Sequence, residues 1–426
     1  MFGKLWKSIG SRVWMIVSLI LIVLFTVVTI LACAVTDFYN LLNMVMPGGG
    51  PRAVYAEGVE PIYLSDYDSK QEVLAAARDF NEEMAGEGMV LLKNENNALP
   101  LATPVSDPDV SARPKISVFG KNSVNLAYGG SGSGGTDASA GGFVDLYTAL
   151  ADAGYDCNPT LKSFYDDTNA SGPVRVGNSR DLDSGDTVIL STAETPQDKY
   201  TDAVKSSYAE YNDMALVVIT RIGGEGWDIP RQMTGATGYR NEDDHFLQLD
   251  ANEEDLIAAV CEAGFDRVVL AVNSGTALEL GFLKKDSPYV TDKGYEIDPD
   301  KIDAAVWMGF PGMTGTNALA SILSGEVNPS GRLPDTYATD FKKDPTWENF
   351  GDNRITANAD KEIVGGDQYT LGGYEGVQMY YFVDYEESVY VGYKYYETRG
   401  ATDGEEWYDA NVVYPFGYGL SYTRFT

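Results

Sequence analysis

From residue 115 onward, the sequence alternates between short runs of β-branched apolar residues and longer stretches with the periodicity of an amphipathic helix. Short apolar runs favour strands that are buried on both faces, and helices between such strands favour a parallel sheet. The pattern predicts an α/β fold, a three-layer α/β/α sandwich around a mostly parallel sheet. The predicted strands are residues 116–119, 187–191, 215–220, 268–272 and 304–307, and the predicted helices are residues 143–153, 203–213, 253–263, 277–283 and 316–324.

The sandwich is predicted to extend from Ser69 to residue 340. An alanine-rich stretch at residues 70–84 is typical of a helix, and the apolar run at residues 88–94 predicts a buried strand with a turn. From residue 341 the sequence becomes rich in tyrosine and loses its periodicity. We therefore expect a loop-rich tail over residues 341–426.

The N-terminal segment contains a long apolar run at residues 13–35, which carries no charge. As a helix this run would be roughly 34 Å long, enough to cross a bilayer. Lys4, Lys7 and Arg12 precede the run, and Asp37 is the first charged residue after it. The positive-inside bias predicts cytoplasmic residues 1–12, one transmembrane helix at 13–35, a linker at 36–68 and an extracellular body on the cell membrane.

Two other interpretations of the apolar run stay open. A cleaved signal peptide also has basic residues before an apolar stretch, although this run is longer than usual. The sequence Ile30-Leu31-Ala32-Cys33 loosely matches a lipoprotein cleavage box, which would make Cys33 a lipid anchor. In each case the body is predicted to lie outside the cytoplasm.

The composition argues against several kinds of function. A formal charge of −32 and a pI near 4.2 would repel the phosphates of nucleic acid. His245 is the single histidine, so histidine-based triads and multi-histidine metal sites are nearly excluded, and we expect no metal and no cofactor. Cys33, Cys157 and Cys261 lack metal-ligand spacing; one disulfide, between Cys157 and Cys261, is conceivable.

Glu225 lies in a glycine-flanked turn directly after a predicted strand. The sequence there is Gly223-Gly224-Glu225-Gly226. The glycines let the backbone turn sharply and leave room for a ligand beside the carboxylate. Because open α/β sheets keep their sites at the carboxyl ends of their strands, Glu225 is a candidate general acid or base. An isolated acidic turn is more often a solvated loop, so the neighbouring motifs decide between the two.

A second glycine-rich segment, the glycine loop at residues 129–135, contains a formal GxGxxG pattern. A dinucleotide-binding loop must follow its strand closely and open a helix, whereas about ten residues separate this loop from the preceding predicted strand. The loop better suits a flap beside a pocket. Ser131 and Ser133 would then offer hydroxyl groups to a polar ligand.

Nine segments between residues 76 and 426 carry a family resemblance. They are EGMVLLKN with LPL (87–101), the glycine loop, GGEGWD (223–228), LDANEE (249–254), VNSG (272–275), WMGFPGMTG (307–315), GEVNPSGRLP (325–334), YVGYKYY (390–396) and PFGYGLSY (415–422). Together and in this order they resemble the second domain of glycoside hydrolase family 3, the β-glucosidase family. That domain is an α/β sandwich that pairs with a (β/α)8-like barrel.

The resemblance implies a retaining hydrolysis of a β-glucoside or related oligosaccharide by two carboxylates. The nucleophile would be an aspartate on the barrel, and Glu225 would be the acid and then the base. Ser133 falls on a sugar-contacting serine of the family, with Ser131 as a possible substitute. A carboxyl group shielded from water has the raised pKa that protonation of a leaving oxygen requires.

The sequence departs from the family because no barrel precedes the sandwich. Some family members are circularly permuted, with the sandwich first, a fibronectin-like domain next and the barrel last. We therefore expect the N-terminal part of a permuted, membrane-anchored enzyme, whose barrel is supplied in cis or in trans. The alternative is a non-catalytic, membrane-tethered carbohydrate-binding or scaffold protein. A dinucleotide-dependent oxidoreductase rests on the GxGxxG pattern alone.

Overall fold

The computed structural model describes residues 13–30, 65–102, 113–131, 134–136, 142–175, 191–224, 229, 233, 244–284, 289–290, 296–347 and 385–423. The chain divides into two compact units, Met1–Asp68 and Ser69–Thr426.

The first unit contains helix α1 (Val13–Ile30), which is long and apolar enough to cross a membrane. The hydroxyls of Thr26 and Thr29 donate hydrogen bonds to the backbone carbonyls of Ile22 and Phe25, so both hydroxyls find partners within the helix. A single helix of this kind near the N-terminus fits a membrane span or a signal sequence. Residues 31–35, including Cys33, lie outside the described part.

The second unit is built on a six-stranded sheet, which confirms the predicted α/β fold. Its strand order is β1-β8-β5-β4-β2-β3. All neighbouring pairs are parallel except β1 and β8, which are antiparallel. The strands are β1 (Val90–Asn94), β2 (Lys115–Phe119), β3 (Asp156–Cys157), β4 (Met214–Arg221), β5 (Val268–Ser274) and β8 (Ala304–Trp307).

Helices cover both faces of the sheet and form the outer layers of the predicted sandwich. Alternate residues of β4 face opposite sides: Val217 belongs to one hydrophobic cluster and Leu216 to the other. The first cluster includes α4 (Pro159–Asp166), α6 (Asp202–Ser207) and α7 (Ala251–Glu262). The second includes α3 (Leu146–Asp152) and α8 (Thr316–Ser324), with α2 (Lys70–Gly88) packed on α8; the short helix α5 (Thr168–Ser171) follows α4.

The direction in which the chain adds strands to the sheet reverses between β2 and β4, so this position is a topological switch point. The chain passes from β2 outward to β3, and then crosses back to β4 on the other side of β2. In open α/β sheets, ligands bind beyond the carboxyl ends of the strands at such a switch point. The glycine loop follows β2, and the turn that contains Glu225 follows β4.

Several predicted elements differ from the structure. The predicted helix 277–283 is wrong, because only a 3-10 turn at Gly281–Leu283 forms there. The backbone N–H of Glu279 instead donates to Leu247, and its carboxylate accepts from the backbone N–H of Phe341. Most of the predicted strand 187–191 lies outside the described residues. The short strand β3 and helix α4 were not predicted.

The prediction of a loop-rich tail after residue 341 is also wrong in part. Helices α9 (Tyr393–Asp403) and α10 (Glu405–Asn411) occupy the tail, and β10 (Val412–Tyr414) pairs antiparallel with β9 (Tyr337–Ala338). The C-terminal segment then returns to the main sheet, where the Leu420 N–H donates to Leu91 on the outer edge of β1. A separate antiparallel pair joins β6 (Tyr289–Val290) and β7 (Glu296–Ile297).

Candidate active site

At the switch point the glycine loop and the β4 turn are in direct contact. The backbone N–H of Ser131 donates to Gly223 O at 3.3 Å, and Ser131 forms a parallel bridge with Gly224. Ser131 itself is only 1% exposed. Glu225 and Ser133, the two principal predicted site residues, lie outside the described residues. In the sequence, Glu225 directly follows Gly224, and Ser133 lies two residues after Ser131.

Gly224 is the position where this contact demands glycine. Its φ of 151° lies in a region that L side chains rarely adopt. A Cβ atom on Gly224 would lie 2.8 Å from the Ser131 nitrogen and 2.9 Å from its Oγ. A side chain at this position would therefore force apart the glycine loop and the turn that carries Glu225.

Asn273, the second-last residue of β5, joins two loops and the end of β4 at the same edge of the sheet. Its Oδ1 accepts hydrogen bonds from the Ala127 N–H at 2.8 Å and from the Thr220 hydroxyl at 3.2 Å. Its Nδ2 donates to Ala127 O at 2.9 Å and to Gly309 O at 2.7 Å. One fully buried amide thus fixes the approach to the glycine loop, the end of β4 and the loop after β8.

The ring of Phe310 lies close to both the glycine loop and Gly275. Its Cε2 would lie 2.4 Å from a Cβ on Gly275 and 3.8 Å from a Cβ on Gly130. Gly275 therefore leaves the space that the ring occupies. This contact explains why the glycine of the VNSG motif and the aromatic residue of the WMGFPGMTG motif occur together.

On its other side, the end of β4 is fixed by a buried ion pair. The Arg221 guanidinium donates two hydrogen bonds of 2.7 Å to the Glu253 carboxylate, and both side chains are at most 2% exposed. Arg221 also donates to Phe246 O at 2.5 Å and to Gln248 O at 2.6 Å. Glu253 and Asp250 form the capping box of α7, so the pair connects the helix N-terminus to the base of the β4 turn.

Two buried carboxyl groups near this ion pair have strongly raised pKa values. Burial raises the pKa of Glu194 to about 8, although hydrogen bonds from the backbone N–H groups of Thr195 and Lys121 oppose the rise. Burial, assisted by the nearby Glu253, raises the pKa of Asp250 to about 7, and the Thr192 hydroxyl donates to Asp250. Glu194 and Asp250 both stabilise the scaffold, because each accepts hydrogen bonds from residues of neighbouring loops.

The loop after β2 is held by a lysine that is completely buried. Lys121 Nζ donates to Tyr165 O at 2.5 Å and to Ser171 Oγ at 2.7 Å, and burial lowers its pKa. The Tyr165 hydroxyl contacts the Gly120 N–H at 3.0 Å and the Tyr200 hydroxyl at 2.6 Å. These contacts fix the start of the segment that leads to the glycine loop.

The remaining candidates from the sequence are also located. His245 is 1% exposed, and its Nε2 lies 3.1 Å from a Glu279 carboxylate oxygen. Cys157 and Cys261 are free thiols, so the disulfide considered from the sequence is absent. Burial raises the pKa of each thiol to about 12. In the described part of the chain, no group of three or more His, Cys, Asp or Glu side chains could hold a metal ion.

Sequence reasoning missed Asn273, Arg221 and Phe310 as supports of the site. A charged residue at the end of an otherwise apolar strand was the available signal for Arg221. Asn273 and Phe310 lie within motifs that carried the family resemblance, but the partners of both come from distant segments. Only the folded sheet edge shows that these three residues support the glycine loop and the end of β4.

The family model for the glycosyl hydrolase family 3 C-terminal domain matches residues 89–422. The chain belongs to glycoside hydrolase family 3. The match confirms the resemblance drawn from the nine motifs, and it covers the switch point, both loops of the crevice and the tail.

Several proteins similar to this chain are β-glucosidases. The chain is 32% identical to β-glucosidase A of Butyrivibrio fibrisolvens over 359 residues, which are 80% of this chain and 34% of the relative. It is 30% identical to a β-glucosidase of Ruminococcus albus over 355 residues, which are 82% of this chain and 29% of the relative. The structure of β-glucosidase 3B from Thermotoga neapolitana in complex with glucose matches with a TM-score of 0.55 and 26% identity, over 83% of this chain and 39% of that one.

The chain thus spans about a third of the length of the relatives that it matches. What the comparisons establish is the family and the α/β domain.

Proposed function

We propose that this chain contributes the acid/base half of a retaining β-glucosidase-type active site. Glu225 is the proposed acid/base, and Ser133 the proposed sugar-contacting residue of the glycine loop. The nucleophilic aspartate would come from a barrel domain, in cis or in trans. The substrate would be a β-glucoside or a related oligosaccharide.

The observation that carries this proposal is the bridge between the glycine loop and the β4 turn at the switch point. The bridge joins Ser131 to Gly224, and in the sequence Glu225 directly follows Gly224 while Ser133 lies two residues after Ser131. A crevice beyond the carboxyl ends of parallel strands is where open α/β sheets bind ligands. Since Ser131 is buried, we assign it to holding the loop, and direct sugar contact to Ser133.

The proposed reaction has two steps. In the first, the barrel aspartate attacks the anomeric carbon while the Glu225 carboxyl donates its proton to the departing glycosidic oxygen. In the second, the Glu225 carboxylate takes a proton from water, whose oxygen attacks the same carbon and releases the aspartate. Both steps require the two carboxyl groups to face one sugar from opposite domains.

The half-site predicts that the isolated chain is nearly inert. Without a nucleophile the covalent intermediate cannot form, so residues 1–426 should not release 4-nitrophenol from its β-D-glucoside. The full-length natural product, defined by sequencing its transcript on both sides of these codons, should do so. If the isolated chain hydrolysed the substrate and Glu225→Gln abolished the turnover, the half-site proposal would be wrong.

We further propose that α1 anchors the body outside the cell, with residues 36–68 as a linker and residues 69–340 as the sandwich. The length and apolar character of α1 support an anchor. An anchored chain should stay with membranes after alkaline carbonate extraction and should keep its N-terminal methionine. Removal of residues before Cys33, together with fatty-acid labelling of the protein, would instead support the lipoprotein interpretation.

A further inference from the structure

Helix α2, the first helix of the second unit, contacts the sandwich with one half of its surface. Asn81 Nδ2 donates to Pro311 O at 2.9 Å, and the Glu82 carboxylate accepts from Asn317 Nδ2 of α8 at 2.7 Å. Gly86, on the same half of the helix, is buried. The side of α2 that faces α8 is therefore polar and held by specific hydrogen bonds.

An apolar stripe runs along the opposite half of α2 and is exposed. Val73, Phe80 and Met84 are 41%, 59% and 55% exposed, and Ala77 between them is also exposed. Spacings of four, three and four positions place these four residues, the α2 stripe, on one face of the helix. Exposed apolar side chains are normally scattered singly, whereas a contiguous patch marks a contact with another molecule.

The spacing of the α2 stripe is that of a coiled-coil seam, in which steps of three and four positions alternate. Lys70 and Glu87 continue the same alternation by one step at each end of the stripe, and both are exposed. The seam of α2 thus begins with a positive charge, continues through four apolar residues and ends with a negative charge.

This order of charges makes two antiparallel copies of the seam complementary. An antiparallel arrangement sets the start of one seam against the end of the other, so each apolar residue lies opposite an apolar residue and the small Ala77 faces the large Phe80. At each end, Lys70 of one copy lies opposite Glu87 of the other. A parallel arrangement would instead set like charges against each other at both ends.

We propose that the α2 stripe binds a second copy of this chain, with the two α2 helices antiparallel and Lys70 of each copy opposite Glu87 of the other. The pair is isologous, because a twofold axis repeats every contact. A seam of so few layers places the dimer in the weak, concentration-dependent class of interfaces. The proposal uses none of the residues assigned to the active site, so it stands or fails independently of the proposed hydrolysis.

The direct test is zero-length cross-linking of the full chain with a carbodiimide, which joins a lysine to a carboxylate when the two are in contact. Lys70 and Glu87 lie near opposite ends of a 19-residue helix, roughly 25 Å apart, so they cannot be joined within one chain. The net charge of −32 opposes association, so the reaction is run at about 0.15 M salt, where charges more than ~8 Å apart are largely screened.

We expect a peptide that joins Lys70 to Glu87. A mixture of unlabelled and isotopically labelled chains should also give the mixed pair. Absence of this peptide at concentrations where the chain sediments as a dimer would overturn the antiparallel arrangement, and a chain that stays monomeric at every concentration would overturn the interface itself.

Charge reversal provides the first pair of matched variants, with the dimer Kd measured by sedimentation equilibrium in a density-matched detergent. Lys70→Glu sets like charges opposite each other at both ends of the seam and should weaken Kd about threefold to tenfold. Adding Glu87→Lys restores opposite charges, and the double variant should regain the original Kd. The helix dipole favours both substitutions, so a loss of folding would not explain the weakening.

The apolar part of the seam is tested by Phe80→Asp, which should weaken Kd at least about tenfold because it places a charge between apolar side chains. Val389→Asp is the control, since Val389 is 63% exposed and lies outside α2; it should leave Kd unchanged. A dimer that neither Phe80→Asp nor Lys70→Glu weakened would overturn the proposal. So would cross-links from α2 to a domain outside these 426 residues in the full-length product, found in place of the Lys70–Glu87 peptide.

Discussion

The two sides of the carboxyl end of β4 are held by different kinds of contact. Toward the glycine loop, contact depends on the absence of side chains, since the backbone of Gly224 lies directly against Ser131. Toward α7, contact depends on charge, since Arg221 and Glu253 form a bidentate ion pair that is almost fully buried. Glu225 directly follows Gly224 in sequence, whereas the Arg221–Glu253 ion pair connects β4 to α7.

The difference separates the roles that we assign to the two sides. A buried ion pair is costly to break, because the partner that remains keeps its charge without compensation. We expect a backbone contact without side chains to contribute less to the free energy of unfolding, and to act mainly by holding Gly224, at the start of the proposed catalytic turn, against Ser131. We therefore expect substitutions on the charged side to affect stability first, and those on the glycine side to affect activity first.

The largest effect is expected for Arg221→Met, which leaves the Glu253 carboxylate buried without its partner. The free energy of unfolding should fall by about 3–5 kcal/mol, measured by urea denaturation. Arg267→Met is the matched control, because Arg267 is only half-buried and its side chain donates one 3.4 Å hydrogen bond, to Asp213 O, within the described residues; it should change the value by under about 1 kcal/mol. An equally small loss for Arg221→Met would contradict the stabilising role assigned to the Arg221–Glu253 ion pair.

The next effect is expected for Gly224→Ala, which combines an unfavourable φ with a clash on Ser131. We expect a loss of about 1–3 kcal/mol in stability and, in the full-length product, a loss of on the order of 100-fold in kcat/KM through displacement of Glu225. The matched control is Gly264→Ala, since Gly264 also has a positive φ of 82° but a Cβ there meets no atom within 4 Å. It should lose stability without losing activity. Equal activity losses in both variants would contradict the positioning role of the bridge.

The smallest effect is the pH dependence contributed by Glu194. Its pKa is raised to about 8 in the folded state, above the roughly 4.3 of an unfolded chain, so the protonated carboxyl favours folding. Its stabilising contribution is fully present below pH of about 4 and is lost as the pH rises through about 8. Glu194→Gln resembles the protonated acid, and should flatten this decline and stabilise the protein by on the order of 1 kcal/mol at pH 8. Glu210→Gln, at an exposed glutamate, should leave the decline as it is; an unchanged decline in Glu194→Gln would contradict the buried-acid assignment.

The strands of the sheet were predictable because each apolar run is buried on both faces. All eight residues of β4 are buried, so its sequence carries no polar alternation that could mislead. The two-residue strand β3 has no such run, and it exists because Lys115 and Ile116 of β2 offer it a parallel edge. Residues 277–280 have good helical propensity, but the contacts of Glu279 with Leu247 and Phe341 override it.

The candidate site was predictable only as far as its motifs. The glycines around Glu225 indicated a tight turn, and the structure adds the reason for one of them, the contact with Ser131. Asn273 and Arg221 depend on contacts between segments up to 146 residues apart, such as Ala127 and Asn273. No local pattern contains such pairings, because they arise from the strand order of the sheet.

The most direct test of the central claim is the leaving-group dependence of Glu225→Gln in the full-length natural product. General acid catalysis matters most when the leaving oxygen is a strong base. We predict that hydrolysis of phenyl β-D-glucoside falls by about 10²–10⁴-fold, while hydrolysis of the 2,4-dinitrophenyl glucoside, whose phenolate leaves unaided, falls far less at the glycosylation step. Equal losses on both substrates, or no loss on either, would contradict the assignment of Glu225 as the acid/base residue.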